Sequence, residues 1–458
     1  MATNNTKEKA KSPSESTDST TGVITRFAPS PTGFPHLGTA MYALLNYLYA
    51  HQHNGKVLMR SEDTDPARSK PEYEKAIIDG LAWLGIKADD FYRQTDRLEI
   101  YKKYIAKMIA DGTAYISPDT NEKGETRDVV RFKNPNKVIT FRDCSRGDIS
   151  VNTTELKDFI IARDVNSPLY HLTVVVDDYE TGVTHVIRGE DGLANTPRQI
   201  LIQEAIGAQR PVYAHYPFVL LANRTKMGKR NGAKSLQEYM ALGYLPETII
   251  NFIILMAWHP QDDRELFTIS DLMTEFQLER IGKGGAILDE KKLDWLNKEH
   301  MKLLSEGERN AEIKERLKKL GFENISEKVY PIIFDRISKW GDVDDLIRAG
   351  EFDYYVKKPE YETHMLYWKG NASSDAKKHL EWVVKKLEET GNVDFESAEK
   401  TKLLIFDYAT EQGRGEVLWP LRVSLSGKEK SPDPFMLLYV LGKDESLARI
   451  RNAIQKLS

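Results

Sequence analysis

From Val23 to Gly85 the chain reads as strand, helix, strand, helix in immediate succession. Consecutive strands of one direction need a crossover, and a helix supplies it, so this order commits the chain to a parallel α/β sheet. Val23 to Ala28 forms the first strand, after which Pro29, Pro31, Gly33 and Pro35 break regular structure. An amphipathic to wholly apolar helix begins near Leu37 and runs through Ala50. KVLMRSEDTD then reads as a second strand ending in an acidic turn, and PEYEKAIIDGLAWLG as a second helix.

At 458 residues the chain exceeds one ordinary hydrophobic core, and roughly two to four domains are expected. The stretch from about Asp96 to Asp178 mixes helix with short strands and carries a polar run, Ser117 to Asp128, as an insertion between two halves of an α/β domain does. Strand signals return at LTVVVDD and VTHVIRGED, followed by a helix at Thr196 to Ile206 and a strand at Tyr216 to Leu221. From about Leu236 helices dominate, with charged 3.6-residue patterns such as AEIKERLKKL and AKKHLEWVVKKLEE. No internal repeat is visible.

The first 22 residues are rich in Ser, Thr and Lys with little to bury, so a disordered tail is expected there. The tail lacks the apolar core of a secretory signal, and its acids Glu8, Glu15 and Asp18 with no Arg disfavour a transit peptide. The longest apolar segment, around Ile249 to Trp258, falls short of the ~20 residues that span a bilayer, so no membrane role is expected. Cys144 is the single cysteine. It leaves no intrachain disulfide and no multi-cysteine zinc site, and a reducing cytoplasm suits it. The net charge of -4 conceals how basic residues are distributed and decides no partner.

Two segments carry chemistry. In RFAPSPTGFPHLGTA, Arg26 to Ala40, a strand, a Pro/Gly turn and a helix start bring backbone N–H groups and His36 to where a phosphate chain can lie. Gly38 there permits close approach. In TKMGKRNGA, Thr225 to Ala233, Lys226, Lys229 and Arg230 can neutralise charge developing on a triphosphate. Taken alone, the first segment fits a proline-rich turn with a helix-capping histidine equally well, and the second fits a basic surface loop better.

Together the two segments resemble the signature pair of class I aminoacyl-tRNA synthetases, usually quoted as HIGH and KMSKS. RFAPSPTG, RSEDTDPAR (Arg60 to Arg68), VVVDD (Val174 to Asp178), THVIRGEDGLANTPRQI (Thr184 to Ile200), GYLPETIINFI (Gly243 to Ile253) and KLDWLN (Lys292 to Asn297) are similar to the glutamyl-tRNA synthetase family of bacterial type. GEVLWPLRVSLSGKEKSPDPF (Gly415 to Phe435) extends the likeness over nearly everything after the tail.

The resemblance implies a glutamate pocket containing Arg26, Ala28, Ser30, Glu62, Tyr170 and Arg188. Arg188 would pair bidentately with the side-chain carboxylate of the substrate, and Glu62 would hold its α-ammonium. Without the motif, an internal Arg188–Glu62 salt bridge is the ordinary reading. ATP contacts are implied for Ser30, His36, Gly38, Asp191, Val219 and Lys229, and the catalytic set is His36, Gly38, Lys226, Lys229 and Arg230. Asp177 and Asp178 invite a catalytic-dyad reading, but a structural role is expected, because the reaction needs no carboxylate base. The ionised α-carboxylate attacks the α-phosphorus, pyrophosphate leaves with Mg²⁺, and the acyl group passes to the terminal ribose 2′-hydroxyl.

Three departures from the family stand out. Gly228 replaces the usual Ser of the second signature, Thr39 stands where many class I enzymes have a second histidine, and the stretch from Tyr115 to Arg131 is short and lacks a Cys/His cluster. No zinc is therefore expected. The implied architecture is a Rossmann-like catalytic domain in two halves, 23–95 and 179–225, an acceptor-stem-binding α+β insertion at 96–178, and a stem-contact region at 226–300. All-α anticodon-binding domains follow at 301–458. The implied partners are ATP, L-glutamate and tRNA(Glu), for a monomeric cytoplasmic enzyme. The rivals are a non-discriminating enzyme that also charges tRNA(Gln), with Arg336 near the position reading the third anticodon base, and a non-catalytic RNA-binding paralogue. A truncated synthetase-like enzyme that modifies a tRNA base is disfavoured by the long helical carboxyl end.

Overall fold

The computed structural model describes residues 22–120, 123–228, 232–370 and 373–458. The expected disorder of the amino-terminal tail, and the assignments to Lys229 and Arg230, lie outside the described residues. The chain divides into two compact units, one of residues 22–240 with Pro246–Leu296, the other of Ala241–Leu245 with Asn297–Ser458.

The first unit opens with β1 (Ile24–Phe27), α1 (Leu37–Gln52), β2 (Lys56–Ser61), α2 (Pro71–Trp83) and β3 (Asp90–Arg93). β2 pairs in parallel with both β1 and β3. Val57, Leu58 and Met59 are all buried, as expected of a parallel strand covered on both faces. α1 packs over β1 and β2, and Leu37, Leu44, Leu45 and Leu48 are fully buried. One polar residue inside this apolar helix ties it to the sheet: Asn46 Nδ2 donates to the Ile187 carbonyl at 3.0 Å, and Thr25 Oγ1 donates to the Asn46 carbonyl at 3.0 Å.

The chain continues through α3 (Leu98–Ala110), β4 (Ala114–Thr120), β5 (Thr126–Phe132), β6 (Val138–Asp143), β7 (Gly147–Asn152), β8 (Phe159–Ala162) and α4 (Tyr170–Glu180). β9 (His185–Gly189), α5 (Thr196–Ile206) and β10 (Val212–Tyr216) follow. β9 lies against β1, where the Thr184 N–H donates to the Ile24 carbonyl at 2.9 Å. β10 pairs in parallel with β9 on one side and β6 on the other. β4, β5 and β8 form a separate antiparallel sheet. Ile105, Phe132, Phe141, Leu172, Val176, Ile200 and Tyr213 belong to one buried cluster, so segment 96–178 shares a core with α5 and β10.

Two sequence expectations need correction. LTVVVDD is helical, within α4, and not a strand. Leu172 to Asp178 are buried without exception. A helix enclosed on all sides has no apolar stripe to reveal its period, and the β-branched run imitates a buried strand. The strand expected over Tyr216 to Leu221 is instead divided. β10 ends at Tyr216, Pro217 lacks the N–H needed to continue the ladder, and the two-residue β11 (Val219–Leu220) pairs with β12 (Ala286–Ile287). After β11 the chain folds back, and the Met227 N–H donates to the Val219 carbonyl at 2.8 Å. α6 (Leu236–Ala241), α7 (Pro246–Ala257), α8 (Ile269–Glu275) and α9 (Glu290–Leu303) come next.

The second unit is helical: α10 (Glu306–Lys319), α11 (Tyr330–Arg336), α12 (Gly341–Arg348), α13 (Ser373–Glu388), α14 (Ala398–Gln412), α15 (Arg414–Ser426) and α16 (Pro434–Lys456). Ile313, Ile333, Val343 and Phe352 form one core, and Leu380, Ile405, Leu421 and Leu438 belong to another. Buried Arg449 joins the segments of the latter, donating to the carbonyls of Tyr354 at 2.6 Å and Leu425 at 2.7 Å.

Candidate active site

A cavity of about 880 Å³ opens in the first unit, where β1, β2, β9 and β10 reach their carboxyl ends. Ligands of open parallel sheets bind in this position, because the loops leaving the strands diverge there. Arg26, Ala28, Ser30, His36, Gly38, Glu62, Tyr170, Arg188, Asp191 and Lys226 line it. Val219 lines an adjoining cavity of about 140 Å³, together with His36, Gly38, Asp191 and Lys226. The fold thus gathers every described member of the expected site into two neighbouring hollows.

His36 caps α1, and its Nδ1 accepts the Gly38 N–H at 3.1 Å. That contact makes the neutral ring the Nε2–H tautomer, so its second nitrogen is a donor. The capping role and a phosphate-contact role are therefore compatible. Thr39 completes the cap from the other direction, its Oγ1 accepting the His36 N–H at 3.4 Å. At Gly38 a Cβ would stand 3.0 Å from the His36 ring, so the glycine makes room for the capping histidine.

Below the cavity lies a buried ion network. Arg26, only 1% exposed, donates through Nε to Asp178 at 3.3 Å, and Arg60 reaches Asp178 through Nη1 at 2.7 Å and Glu62 through Nη2 at 3.1 Å. Arg60 and Glu62 are two apart at the end of β2, which places them on one face. Burial pushes the Asp178 carboxyl up, but Arg26 and Arg60 outweigh it and hold the group below the usual carboxylate range. Burial prevails at Glu62, whose carboxyl is raised despite Arg60. Asp177 accepts from Arg97 at 2.7 Å and from Gln94 and Tyr101 at 2.9 Å, fastening α4 to α3. Both aspartates therefore have structural partners.

Arg188 does not pair with Glu62. It is 6% exposed, its Nε–H donates to His215 Nε2 at 3.1 Å, and Nη2 donates to the Gly192 carbonyl and the Thr196 hydroxyl, each at 2.9 Å. Nη1 is buried and has no hydrogen-bond partner. An unsatisfied buried guanidinium nitrogen beside a cavity is costly unless an acceptor arrives there. Nη1 is thus the guanidinium nitrogen left without an acceptor, while Nε and Nη2 already bond to protein groups. Tyr170, the first residue of α4, is 42% exposed at the opening.

Lys226 Nζ donates to Asp191 Oδ2 at 2.9 Å and lies 4.0 Å from the centre of the Phe218 ring. Gly228 has an ordinary φ and nothing within 4 Å of a Cβ built on it. Gly228→Ser is therefore expected to leave stability within about 0.5 kcal/mol and adenylate formation near the native rate, measured by denaturant unfolding and rapid-quench kinetics.

Sequence reasoning passed over Arg60, Asp143, Gly192 and His215. Arg60 was detectable from its i, i+2 relation to Glu62. Asp143 begins the turn DCSR, a pattern of local Asp-to-backbone bonding, yet nothing local joins it to His215. Among the described residues there is no group of three or more His, Cys, Asp or Glu arranged to hold a metal, and no helix is long and apolar enough to cross a membrane.

Comparison with known proteins agrees with this architecture. The family described as class I tRNA synthetases (E and Q), catalytic domain, matches residues 22–128 and 120–295, and an anticodon binding domain matches 296–454. The chain belongs to this family of class I tRNA synthetases, with a helical anticodon-binding domain at its carboxyl end. Within the family, it is 36% identical to the glutamate–tRNA ligase of Francisella tularensis subsp. novicida, covering 95% of this chain and 99% of that one. It is 35% identical to the ligase of the same name from Aquifex aeolicus, over 95% and 99% of the two chains. A crystal structure of a glutamate tRNA ligase from Elizabethkingia meningosepticum, in complex with its amino acid, superposes with a TM-score of 0.84 at 29% identity, covering 95% of this chain and all of the other.

Proposed function

We propose that the chain joins L-glutamate to the 3′ end of tRNA(Glu) in protein synthesis, consuming ATP through a glutamyl-adenylate. The observation that carries this is that Arg188, buried and with Nη1 lacking an acceptor, lines the same cavity as His36 and Gly38. A buried cation that lacks an acceptor selects an anionic side chain. Glu62, raised by burial, is stabilised in its charged form when the α-ammonium of glutamate lies beside it. Tyr170 walls the opening and offers a hydroxyl.

The α1 amino terminus and His36 favour the phosphates of ATP, and Asp191 and Val219 flank the nucleoside. Mg²⁺ bound to ATP would neutralise part of the charge on its phosphates. Lys226, with Lys229 and Arg230, supplies positive charge to the α-phosphorus as it becomes five-coordinate. Segment 96–178 then holds the acceptor stem and 226–300 contacts the stem beyond it, while the helical unit from 301 reads the anticodon. The enzyme acts as a monomer in the cytoplasm.

ATP–pyrophosphate exchange by the full chain with tRNA(Glu) present tests the reading. Glutamate-dependent exchange is expected, and its absence with intact binding of the RNA would favour a non-catalytic RNA-binding protein. The rival of charging tRNA(Gln) as well is separated by aminoacylating each purified RNA. The purified enzyme is also expected to hold no stoichiometric zinc and to keep full activity with Mg²⁺ after chelation. One tightly held zinc per chain by elemental analysis, with activity lost on its removal, is the contrary result.

A further inference from the structure

Arg188 stands at the end of a line that begins with two buried groups, Asp143 and His215, which the proposed chemistry does not itself require. Asp143 ends β6 and His215 lies in β10; neither is exposed at all. One Asp143 oxygen accepts the backbone N–H groups of Ser145 and Arg146, both at 3.0 Å, and the Ser145 hydroxyl at 2.8 Å. The other lies 2.6 Å from His215 Nδ1. With Asp143 so satisfied, His215 Nδ1–H is the donor, and its Nε2 becomes an acceptor. Burial, helped by the neighbouring Arg188, outweighs the raising contact with Asp143 and lowers the His215 pKa, which favours the neutral ring.

The acceptor takes the Nε–H of Arg188 at 3.1 Å. The opposite flank is as closely fitted, because a Cβ on Gly192 would stand 2.3 Å from Arg188 Nε. Nη2 spends its two protons on Gly192 and Thr196. The guanidinium is therefore held in one orientation, and Nη1 is the nitrogen left without an acceptor. An arginine side chain left to itself samples many rotamers, and holding it in one removes that entropy from the binding step.

We infer that His215, anchored by Asp143, is the positioning residue that aims Arg188 Nη1 at the side-chain carboxylate of the amino acid and so sets affinity and selectivity for an acidic side chain. The inference rests on Arg188 being the carboxylate-binding group. His215 does not line the cavity, so it acts through Arg188 alone. The antiparallel β6–β7 ribbon, delivered by segment 96–178, thereby contributes to amino-acid choice through Asp143.

Steady-state aminoacylation by the full chain tests this with His215→Asn, His215→Gln, Arg188→Ala and the Arg188→Ala/His215→Asn double variant. Asparagine keeps a donor near Asp143 but removes the acceptor for Arg188, whereas the longer glutamine returns a carbonyl towards the Nε2 position. His215→Asn is expected to raise the glutamate KM about 10-fold or more, with kcat and the ATP KM unchanged, and to narrow the preference for glutamate over glutamine. His215→Gln should recover part of the affinity. In the Arg188→Ala background His215→Asn should add nothing, since the interaction it serves is gone. Should His215→Asn fail to fold, His215→Phe keeps the ring volume without the acceptor and reads the same split.

If Arg188→Ala leaves the glutamate KM unaltered, the carboxylate reading itself fails. If Arg188→Ala raises it but His215→Asn does not, or if His215→Asn raises it equally in both backgrounds, the positioning role is overturned while Arg188 keeps its own. Glutamine at 215 performing no better than asparagine also overturns it.

Discussion

Arg188→Ala is expected to lower kcat/KM for glutamate by about 10²-fold or more, almost entirely through KM. The native guanidinium is desolvated and already fixed by His215, Gly192 and Thr196, so its reorganisation is complete before the amino acid arrives. Alanine removes the positive charge and leaves the substrate carboxylate to enter a buried site unpaired, the more expensive of the two losses. Glutamine, which has no charge to satisfy, loses much less, so the ratio of the two specificity constants should contract. Steady-state kinetics with each amino acid read both effects, and unchanged glutamate kinetics would remove Arg188 from the site.

The second large effect is on stability. Asp178 is the acceptor that Arg26 and Arg60 share in a nearly water-free environment. Asp178→Ala takes from buried Arg26 its carboxylate partner and leaves Arg60 to Glu62, and breaking such a pair costs about 3–5 kcal/mol, a large share of the roughly 5–15 kcal/mol that stabilises a domain. Denaturant unfolding should show the first unit melting far earlier, with Asp178→Asn intermediate because it retains an acceptor. A change within error would mean that the arginines find other partners.

The pH dependence has a definite sign. Asp178 titrates lower in the folded chain than in the unfolded one, so its contribution is complete above the ordinary carboxylate value near ~4 and disappears as pH falls through the lower folded value. Glu62 is shifted the other way. Its ionisation costs stability as pH rises through the raised value, until an ammonium partner binds. Thermal melts across acidic pH should therefore show a steep loss in the native chain that flattens in Asp178→Ala.

The strand–helix alternation at the amino end was legible because β1, α1, β2 and α2 each carry an apolar string bounded by Pro, Gly or acidic turns. α4 was not, since Leu172 to Asp178 are buried on every side and no periodicity survives. The residues around the cavity were legible from contiguous motifs: Arg26 to Gly38, Arg60 to Glu62, Arg188 to Asp191. Their supports were not. His215 and Asp143 lie 72 residues apart, and only the parallel pairing of β6 with β10 brings them together. Arg188 could be read as a carboxylate receptor from its motif, but the occupation of its Nε and Nη2 depends on side chains that no local pattern announces. The same limit explains why the protein partners of Nε and Nη2 could not be read beside the motif that holds Arg188.

The central claim, that this cavity activates glutamate and passes it to a transfer RNA, is tested most directly by aminoacylation of purified tRNA(Glu) with labelled glutamate and glutamine in competition, using the full chain, ATP and Mg²⁺. Glutamyl-tRNA(Glu) is expected to accumulate in strict dependence on ATP, with glutamate preferred over glutamine by at least about 10³-fold. Glutaminylated product at a comparable rate, or no acylated RNA while the chain remains folded, would contradict the account.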